Sequence, residues 1–375
     1  MININLTPFP LAKLRADGYE GYIVGGAVRD LLLGLPLQDI DITVFGGDYK
    51  NYASILARRF RTSTVIFKDN IRLPLGKLHI DVSAPRGGDI RGDLAMRDFT
   101  VNNLALTFAG ELLGDPTDLF AKRVVPVYPR ALLDDPIRIL RAFRQAAHFG
   151  FELTDRFFAL LPEACAHLQK PAKERVCYEL RLLSAARPYE KLYRYMGDYG
   201  VLEAVFGFRP NICNLVDVLK VAYGESDDLF PLFLAAIYSD SGRDIKQELR
   251  ALTVSNAHQN AAGAVTRLSE QVFNGDVHSA KAALWEAENI GLKGAVLIFG
   301  KVHFGELAEE KANFIQDNRK GGVISGEDIL ALSEAAPGAW VKTVLERTKI
   351  ALSFGEIAGR SAALDYARKI CRELT

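Results

Sequence analysis

The chain has 375 residues, and its 46 Lys and Arg residues balance its 46 Asp and Glu residues, so the formal net charge is zero. This length is enough for about two to four domains. The hydrophobic fraction of 49% and the charged fraction of 25% are those of an ordinary folded protein and exclude large-scale disorder. A zero net charge excludes a globally cationic nucleic-acid binder, but it leaves a local basic groove open.

The cysteine content and the apolar patterning limit where the protein works. The four cysteines contain no C-x-x-C pair, which argues against a zinc knuckle and against a disulfide framework. No stretch approaches the roughly 18 uncharged apolar residues of a membrane span. Residues Met1–Leu14 lack the pattern of a secretion signal. These features predict a cytoplasmic protein with no membrane association.

Two structural regimes follow each other along the chain. From Tyr22 to about Val127, short runs typical of strands alternate with helical runs, and after Asp134 helical patterns punctuated by prolines dominate. The predicted fold class is therefore α+β, with an N-terminal head of strands and helices followed by an all-α remainder. The predicted strands are Gly21–Gly25, Asp39–Phe45, Ser63–Phe67 and Leu78–Ser83, with a helix over Tyr49–Arg61.

The first candidate site is a glycine turn. Gly25 and Gly26 follow an apolar strand and open a short helix that stops at Gly34. Two glycines let the backbone approach a ligand closely, and the free N–H groups at a helix N-terminus suit phosphate. Arg29 adds a full positive charge there. The pattern indicates a nucleotide-binding turn, although a simple turn has the same pattern.

A pair of carboxylates follows on the next predicted strand. Asp39 and Asp41 point to the same face because strand side chains alternate. Their repulsion is usually relieved by a hard divalent cation bound through oxygen. Asp81 lies on another predicted strand and is a third candidate, which would allow two Mg²⁺ ions to be held. A pair of capping carboxylates, and a solvent-facing Asp81, are the alternatives.

The second candidate site repeats every three residues: Asp135, Arg138, Arg141 and Arg144. On a helix these side chains would form one slanting ridge, with Ile139, Leu140, Phe143 and Ala147 facing the core. An exposed salt-bridge ladder is the alternative.

The ridge has the chemistry to select a base. A carboxylate accepts hydrogen bonds, whereas a guanidinium only donates them. Cytosine and adenine each present an amino donor beside a ring-nitrogen acceptor, which an Asp–Arg pair matches. Uracil and guanine present a ring N–H beside a carbonyl, so both contacts would be mismatched. Asp135 and Arg138 could therefore select C and A without a template.

Taken in order, these motifs resemble those of the class II tRNA nucleotidyltransferases and bacterial poly(A) polymerases. The matching segments are Gly25–Asp30 with Asp39–Asp41, Arg97–Ala105, Asp115–Leu119, Asp134–Arg144, Glu174–Glu179 and Ile324–Leu330. The resemblance implies a nucleotidyltransferase head with a small mixed sheet at 1–127. It also implies a helical, base-recognising neck at 128–200 and a helical, tRNA-binding body and tail at 201–375.

The implied activity is addition of C and A to the 3′ end of tRNA from CTP and ATP, with release of pyrophosphate. The resemblance agrees with metal binding by Asp39 and Asp41, with Mg²⁺ as cofactor, while Asp81 stays a third catalytic candidate on the basis of its strand position. It assigns nucleotide binding to Gly25, Gly26, Arg29, Arg97, Asp135, Arg138, Arg141 and Arg144. It implies no protein partner.

Departures from the family pattern keep alternatives open. Only Gly87–Met96 lies where the family usually has a longer loop, which resembles enzymes that add only the two cytidines. Met96 stands where a basic residue is usual. A poly(A) polymerase typically carries extra basic segments, and an inactive RNA-binding homologue would not need both aspartates. Glu174, Arg175 and Glu179 are interpreted as a structural charge network supporting the neck.

Overall fold

The computed structural model describes residues 11–226, 228–304 and 324–374. The chain forms two compact units, Met1–Arg209 and Pro210–Thr375. The first unit contains the whole of the predicted head and neck, and the predicted divisions after residues 127 and 200 stay predictions. Across the described ranges, no helix combines the length and the apolar character needed to cross a membrane.

The first unit is built on a mixed sheet, as the sequence predicts. Seven strands pair in the order β3-β4-β5-β2-β1-β6-β7, and within them β2 and β5 are parallel while the other neighbours are antiparallel. The strands are β1 (Glu20–Val24), β2 (Asp39–Phe45), β3 (Val65–Ile66), β4 (Asn70–Leu75), β5 (Leu78–Ser83), β6 (Ala105–Thr107) and β7 (Leu112–Leu113). A separate parallel pair joins β8 (Arg123–Val124) and β9 (Glu152–Leu153).

Ten helices accompany these strands in the described part of the first unit. They are α1 (Gly26–Leu32), α2 (Tyr49–Phe60), α3 (Ile90–Ala95), α4 (Thr117–Phe120), α5 (Ala131–Asp134), α6 (Arg138–Phe149), α7 (Asp155–Cys165), α8 (Lys173–Ser184), α9 (Glu190–Asp198) and α10 (Val201–Phe206). Short 3₁₀ helices cover Leu11–Leu14 and Thr100–Asn102.

The alternation of side chains in β2 places its acids. Ile40 and Ile42 are fully buried, whereas Asp39 and Asp41 are exposed on the opposite face. Burying the isoleucines fixes the register, because a one-residue slip would put the aspartates in the core. The hydrophobic core of the sheet therefore determines where the two carboxylates emerge.

Strand β4, like β6 to β9, is not among the strands predicted from the sequence. It contains Pro74, which cannot donate a ladder hydrogen bond and therefore argues against a strand. The structure accommodates Pro74 because β3 pairs only with residues 71 and 72 of β4, so the Pro74 end has β5 as its one strand neighbour.

Helix α6 has the predicted buried face: Ile139, Leu140, Phe143 and Ala147 are at most 2% exposed. The predicted ridge is wrong at one point, because the helix begins at Arg138 and Asp135 lies before it with φ −141° and ψ 93°. Pro136 explains this, since a residue that precedes proline is disfavoured in the helical region. Asp135 thus stands on an extended segment at the start of α6.

The described part of the second unit is helical. Its helices are α11 (Ile212–Ala222), α12 (Phe230–Tyr238), α13 (Ile245–Ala251), α14 (Asn256–Asn274), α15 (Val277–Asn289), α16 (Lys293–Phe304), α17 (Gly326–Leu330), α18 (Ala339–Ser353) and α19 (Gly359–Leu374). Helix α12 is buried along its whole length. The family-like segment Ile324–Leu330 forms α17, where Ser325 and Asp328 build a capping box and Ile329 is fully buried.

Candidate active site

A cavity of about 410 Å³ in the first unit collects most of the predicted site residues. Seven arginines and three aspartates line it, which makes it suited to a polyanionic ligand. The predicted residues in its wall are Gly25, Gly26, Arg29, Asp41, Arg97, Asp135, Arg138, Arg141 and Arg144. Asp39 and Asp81 lie on the same pair of strands as Asp41 but are not part of this wall.

The strand register brings the acids to one edge of the cavity. Asp41 pairs across β2 and β5 with Asp81, and across β2 and β1 with Val24, the residue before the glycine turn. Among the described residues, none forms a hydrogen bond or an ion pair with the Asp39 or Asp41 carboxylate. Two exposed carboxylates with free oxygens on one strand face form a donor set that fits a hard divalent cation.

The electrostatics at Asp41 also favour a bound cation. Although its side chain reaches solvent, it lies in a recess where the loss of bulk water, and then the charge of Asp81, raise its pKa above the usual aspartate value. Arg97 opposes this increase. A bound cation would also stabilise the ionised form of Asp41. The described residues include no cluster of three metal-ligating side chains, so water or substrate oxygens would have to complete the coordination, as is usual for Mg²⁺.

Asp81 has a partner that Asp39 and Asp41 lack. Arg72 donates from Nε to Oδ1 at 2.9 Å and from Nη2 to Oδ2 at 2.6 Å. The Asp81 side chain is nearly buried, and this bidentate pair compensates its charge. The role of Asp81 as a third metal ligand stays a prediction.

The glycine turn is shaped around Arg97. Gly25 has φ +72°, and a Cβ at this position would lie 2.6 Å from Nη1 of Arg97. Arg97 Nη2 in turn donates to the buried carboxylate of Asp93 at 2.8 Å, and the Arg86 N–H donates to the other oxygen of Asp93. Asp93, on α3, therefore holds the guanidinium that closes over Gly25.

Arg29 is held on three sides. It donates to Asp30 at 2.8 Å and to the side-chain oxygen of Asn102 at 2.7 Å, and its guanidinium lies 4.2 Å from the centre of the Phe149 ring. Asn102 also donates to Asp98 and to the buried Gln145. Because its surroundings fix its direction, Arg29 presents a preoriented positive charge to the cavity.

The guanidinium of Arg138 makes its hydrogen bonds through its two Nη groups. It donates to the Tyr128 hydroxyl at 2.9 Å and to the backbone oxygens of Ala131 and Met96 at 3.2 and 2.9 Å. A guanidinium has five N–H groups, so donors remain for a ligand in the cavity.

Helix α8 contacts every acidic or basic member of the predicted base-reading ridge except Arg138. Arg175 forms a bidentate pair with Asp135, and Glu179 accepts from both Arg141 and Arg144. The interpretation of these residues as a purely structural network is therefore incomplete, because Arg175 itself lines the cavity.

Asp98 connects the head to this network. It accepts from Arg141 Nε at 2.8 Å, from Asn102 and from the Phe99 N–H. Burial alone would raise the pKa of Asp98, but these three donors outweigh it and lower the pKa. Asp98 therefore stays an anion that anchors Arg141.

Sequence reasoning missed several of these residues. Tyr128 and Asp93 contact predicted site residues, and Gln145 lines the same cavity, yet none of the three is singled out by the sequence motifs. The one available signal is the spacing of Asp93, a carboxylate four residues before Arg97, because this is the separation of a helical ion pair.

Comparison with known proteins relates this head to a described family. Residues 21–121 match the family described as Poly A polymerase head domain. A CC-adding tRNA nucleotidyltransferase of Geobacter sulfurreducens is 29% identical over 96% of this chain and 95% of its own. One from Shouchella clausii is 27% identical over 94% of each chain. A CCA-adding enzyme of Staphylococcus aureus is 25% identical, again over 94% of each chain.

Solved structures share the fold over nearly the whole chain. The Thermotoga maritima CCA-adding enzyme complexed with tRNA superposes with a TM-score of 0.71 at 21% identity, covering 97% of this chain and 94% of its own. A CCA-adding enzyme in complex with CTP gives a TM-score of 0.73 at 23% identity, covering 95% and 91%. The ordered motifs, the mixed-sheet head with its helical remainder and these relatives, which align over nearly the whole chain, support the resemblance to the class II tRNA nucleotidyltransferase and bacterial poly(A) polymerase family.

Proposed function

We propose that the protein is a template-independent nucleotidyltransferase that extends the 3′ end of tRNA with CMP and AMP from CTP and ATP, releasing pyrophosphate. The observation that carries this proposal is that Asp41 and the pair Asp135 and Arg138 line one cavity rich in arginine. Relatives that add C or CCA to tRNA align over nearly the whole chain and support the same reaction. The location is proposed to be cytoplasmic.

The metal in this proposal is Mg²⁺, held by Asp39 and Asp41. Enzymes of this class generally use a divalent metal, and the exposed carboxylates of β2 supply the hard oxygen ligands that Mg²⁺ prefers. When bound, the metal lowers the pKa of the primer hydroxyl and stabilises charge on the triphosphate.

The residues around the turn bind and orient the triphosphate. Arg29 and Arg97 direct their guanidinium groups into the cavity, and Gly25 and Gly26 leave room for close approach of the ligand. Arg141 and Arg144, anchored by Glu179, add positive charge to the same wall. Because these groups are already held by protein carboxylates, little reorganisation opposes nucleotide binding.

Base selection rests on Asp135 and Arg138. Asp135 accepts from the exocyclic amino group of cytosine or adenine, and Arg138 donates to the neighbouring ring nitrogen through N–H groups that its contacts leave free. A mismatched buried polar group costs about 1–3 kcal/mol, so two mismatches disfavour UTP and GTP strongly.

The test incubates the full chain with tRNA lacking its 3′ end, CTP, ATP and Mg²⁺, and sequences the product ends. We expect C and A to be added, no transfer after chelation of the metal, and recovery when Mg²⁺ is restored. Asp41→Asn should lower the rate by about a hundredfold or more. Asp17→Asn, an exposed acid outside the cavity of the same unit, is the matched control. Absence of any CMP transfer would reject the proposal.

Addition of the two cytidines alone is the second candidate. Between β5 and Arg97 the chain has only a short connection and the six-residue helix α3, where the family usually has a longer loop. The same product sequencing decides between the two. Ends that stop at CC with ATP present would establish the second candidate, and a terminal A would reject it.

A further inference from the structure

We propose that Arg175 is a positioning residue for base selection, whose bidentate hold on Asp135 makes the site reject uracil. This inference rests on the proposed function, because it concerns the nucleotide that the same cavity admits. It assigns a specificity role to a helix, α8, whose charged residues the sequence analysis interprets as structural support only.

The contact is specific in geometry. Arg175 Nη1 donates to Asp135 Oδ1 at 3.2 Å, and Nη2 donates to Oδ2 at 2.7 Å, so the planar guanidinium faces the planar carboxylate. A bidentate pair of this kind fixes the rotation of the carboxylate as well as its position. Both residues line the cavity, so the pair lies where a base would bind.

The Asp135 side chain needs a partner because its backbone segment does little to restrict its rotation. It stands on an extended segment before α6, and its side chain is about one-third exposed, at 32%. A short side chain at such a position rotates freely unless a partner holds it. In the described structure, the ion pair with Arg175 is the contact that restricts the Asp135 side chain.

The pair leaves the right groups free for reading a base. An ionised carboxylate offers about four acceptor positions, and Arg175 uses one on each oxygen. The remaining positions accept only, so they match the amino group of cytosine and repel the carbonyl oxygen that uracil presents there. If Arg175 is removed, the carboxylate can rotate away from that oxygen. This rotation reduces the penalty for uracil.

The experiment compares selectivity, which a merely structural role would not change. Arg175→Ala should raise the ratio of UMP to CMP incorporation into tRNA lacking its 3′ end by about tenfold or more, the loss of one polar mismatch. Arg175→Lys, which restores the charge but not the bidentate geometry, should recover part of the selectivity. Arg181→Ala, an exposed arginine on the same helix outside the cavity wall, should leave the ratio unchanged.

Equilibrium affinities for CTP and UTP, measured on the same full-length variants by calorimetry, separate this proposal from the proposed function. If the wild-type protein binds CTP but transfers none, the proposed function fails, and the affinity ratio still tests Arg175. The inference would be overturned if Arg175→Ala had the same ratio of UTP affinity to CTP affinity as the wild type and the same thermal unfolding midpoint. Should that variant unfold at a lower temperature, Arg175→Gln provides the same comparison, and an unchanged ratio there would equally overturn it.

Discussion

The guanidinium of Arg29 lies over the ring of Phe149, 4.2 Å from its centre, at the C-terminal end of α6. A cation–π contact thereby joins the glycine-turn helix α1 to helix α6. Asn102 and Asp30 hold the same guanidinium from other sides. The ring therefore contributes to the direction in which Arg29 presents its charge.

Phe149→Leu should weaken nucleotide binding while leaving the fold intact. Leucine keeps most of the apolar volume but loses the ring face, which is worth about 0.5–2 kcal/mol. We expect KM for CTP to rise by about two- to thirtyfold, with a smaller change in kcat. Phe67→Leu is the matched control, because the Phe67 ring makes a cation–π contact with Arg72 and neither residue lines the cavity. An equal rise of KM in both variants would contradict a specific role for Phe149.

The glycine turn offers a comparison of two alanine substitutions. Gly25 and Gly34 both have positive φ, +72° and +68°, so alanine strains the backbone at each. At Gly25 the new Cβ would also lie 2.6 Å from Arg97 Nη1, whereas nothing lies within 4 Å at Gly34. Gly34→Ala should lose about 1–2 kcal/mol of unfolding free energy, and Gly25→Ala should lose at least as much.

Activity should separate these two glycine variants. Because Gly25→Ala displaces Arg97, we expect its kcat/KM for CTP to fall by about tenfold or more, whereas Gly34→Ala keeps the wild-type value. Chemical denaturation gives the stabilities, and initial rates give kcat/KM. Equal activity of the two variants would show that the position of Arg97 does not depend on the space at Gly25.

Asp93 should matter for the reaction through Arg97. Its side chain is 2% exposed and accepts from Arg97 and from the Arg86 N–H. Asp93→Asn keeps the shape but removes the charge, so Arg97 loses its anchor and we expect kcat/KM to fall by about ten- to a hundredfold. Asp89→Asn, at the N-cap of the same helix, should be near neutral because asparagine caps equally well. A loss in the Asp89 variant as large as that in the Asp93 variant would indicate a general disturbance of α3.

Local patterns predicted the parts of the site that depend on neighbours in sequence. The strand alternation predicted that Asp39 and Asp41 share a face, and the apolar spacing predicted the buried face of α6. The turn at Gly25 follows from glycine pairs between a strand and a helix. Each of these requires only the period of a strand or a helix.

The contacts that orient the predicted residues could not be derived in this way. Arg175 reaches Asp135 across 40 residues, and Glu179 reaches Arg144 across 35. Such contacts depend on how α8 packs against α6, and many partners for a surface arginine fit the sequence equally well. Asp135 also shows a limit of periodicity, because Pro136 interrupts the helix that its spacing suggests.

The pH dependence of stability should report on His148, which lies next to Phe149 near Arg29. Loss of surrounding water, followed by the charges of Arg29 and Arg144, lowers the pKa of His148 below the usual histidine value, and Asp30 only partly opposes this. The unfolded chain then binds a proton that the folded chain resists, so the contribution of His148 to stability is complete above a pH of about 6.5 and declines as the pH falls below it.

Replacing the ring by a group that does not titrate removes this decline. We expect the unfolding free energy of the wild type to decrease more than that of His148→Gln between pH values of about 7.5 and 5.5. Denaturant titrations across this range measure the difference, with His167→Gln as a control for an unrelated histidine of the same unit. Parallel pH profiles of the wild type and the His148 variant would mean that His148 titrates normally in the folded protein.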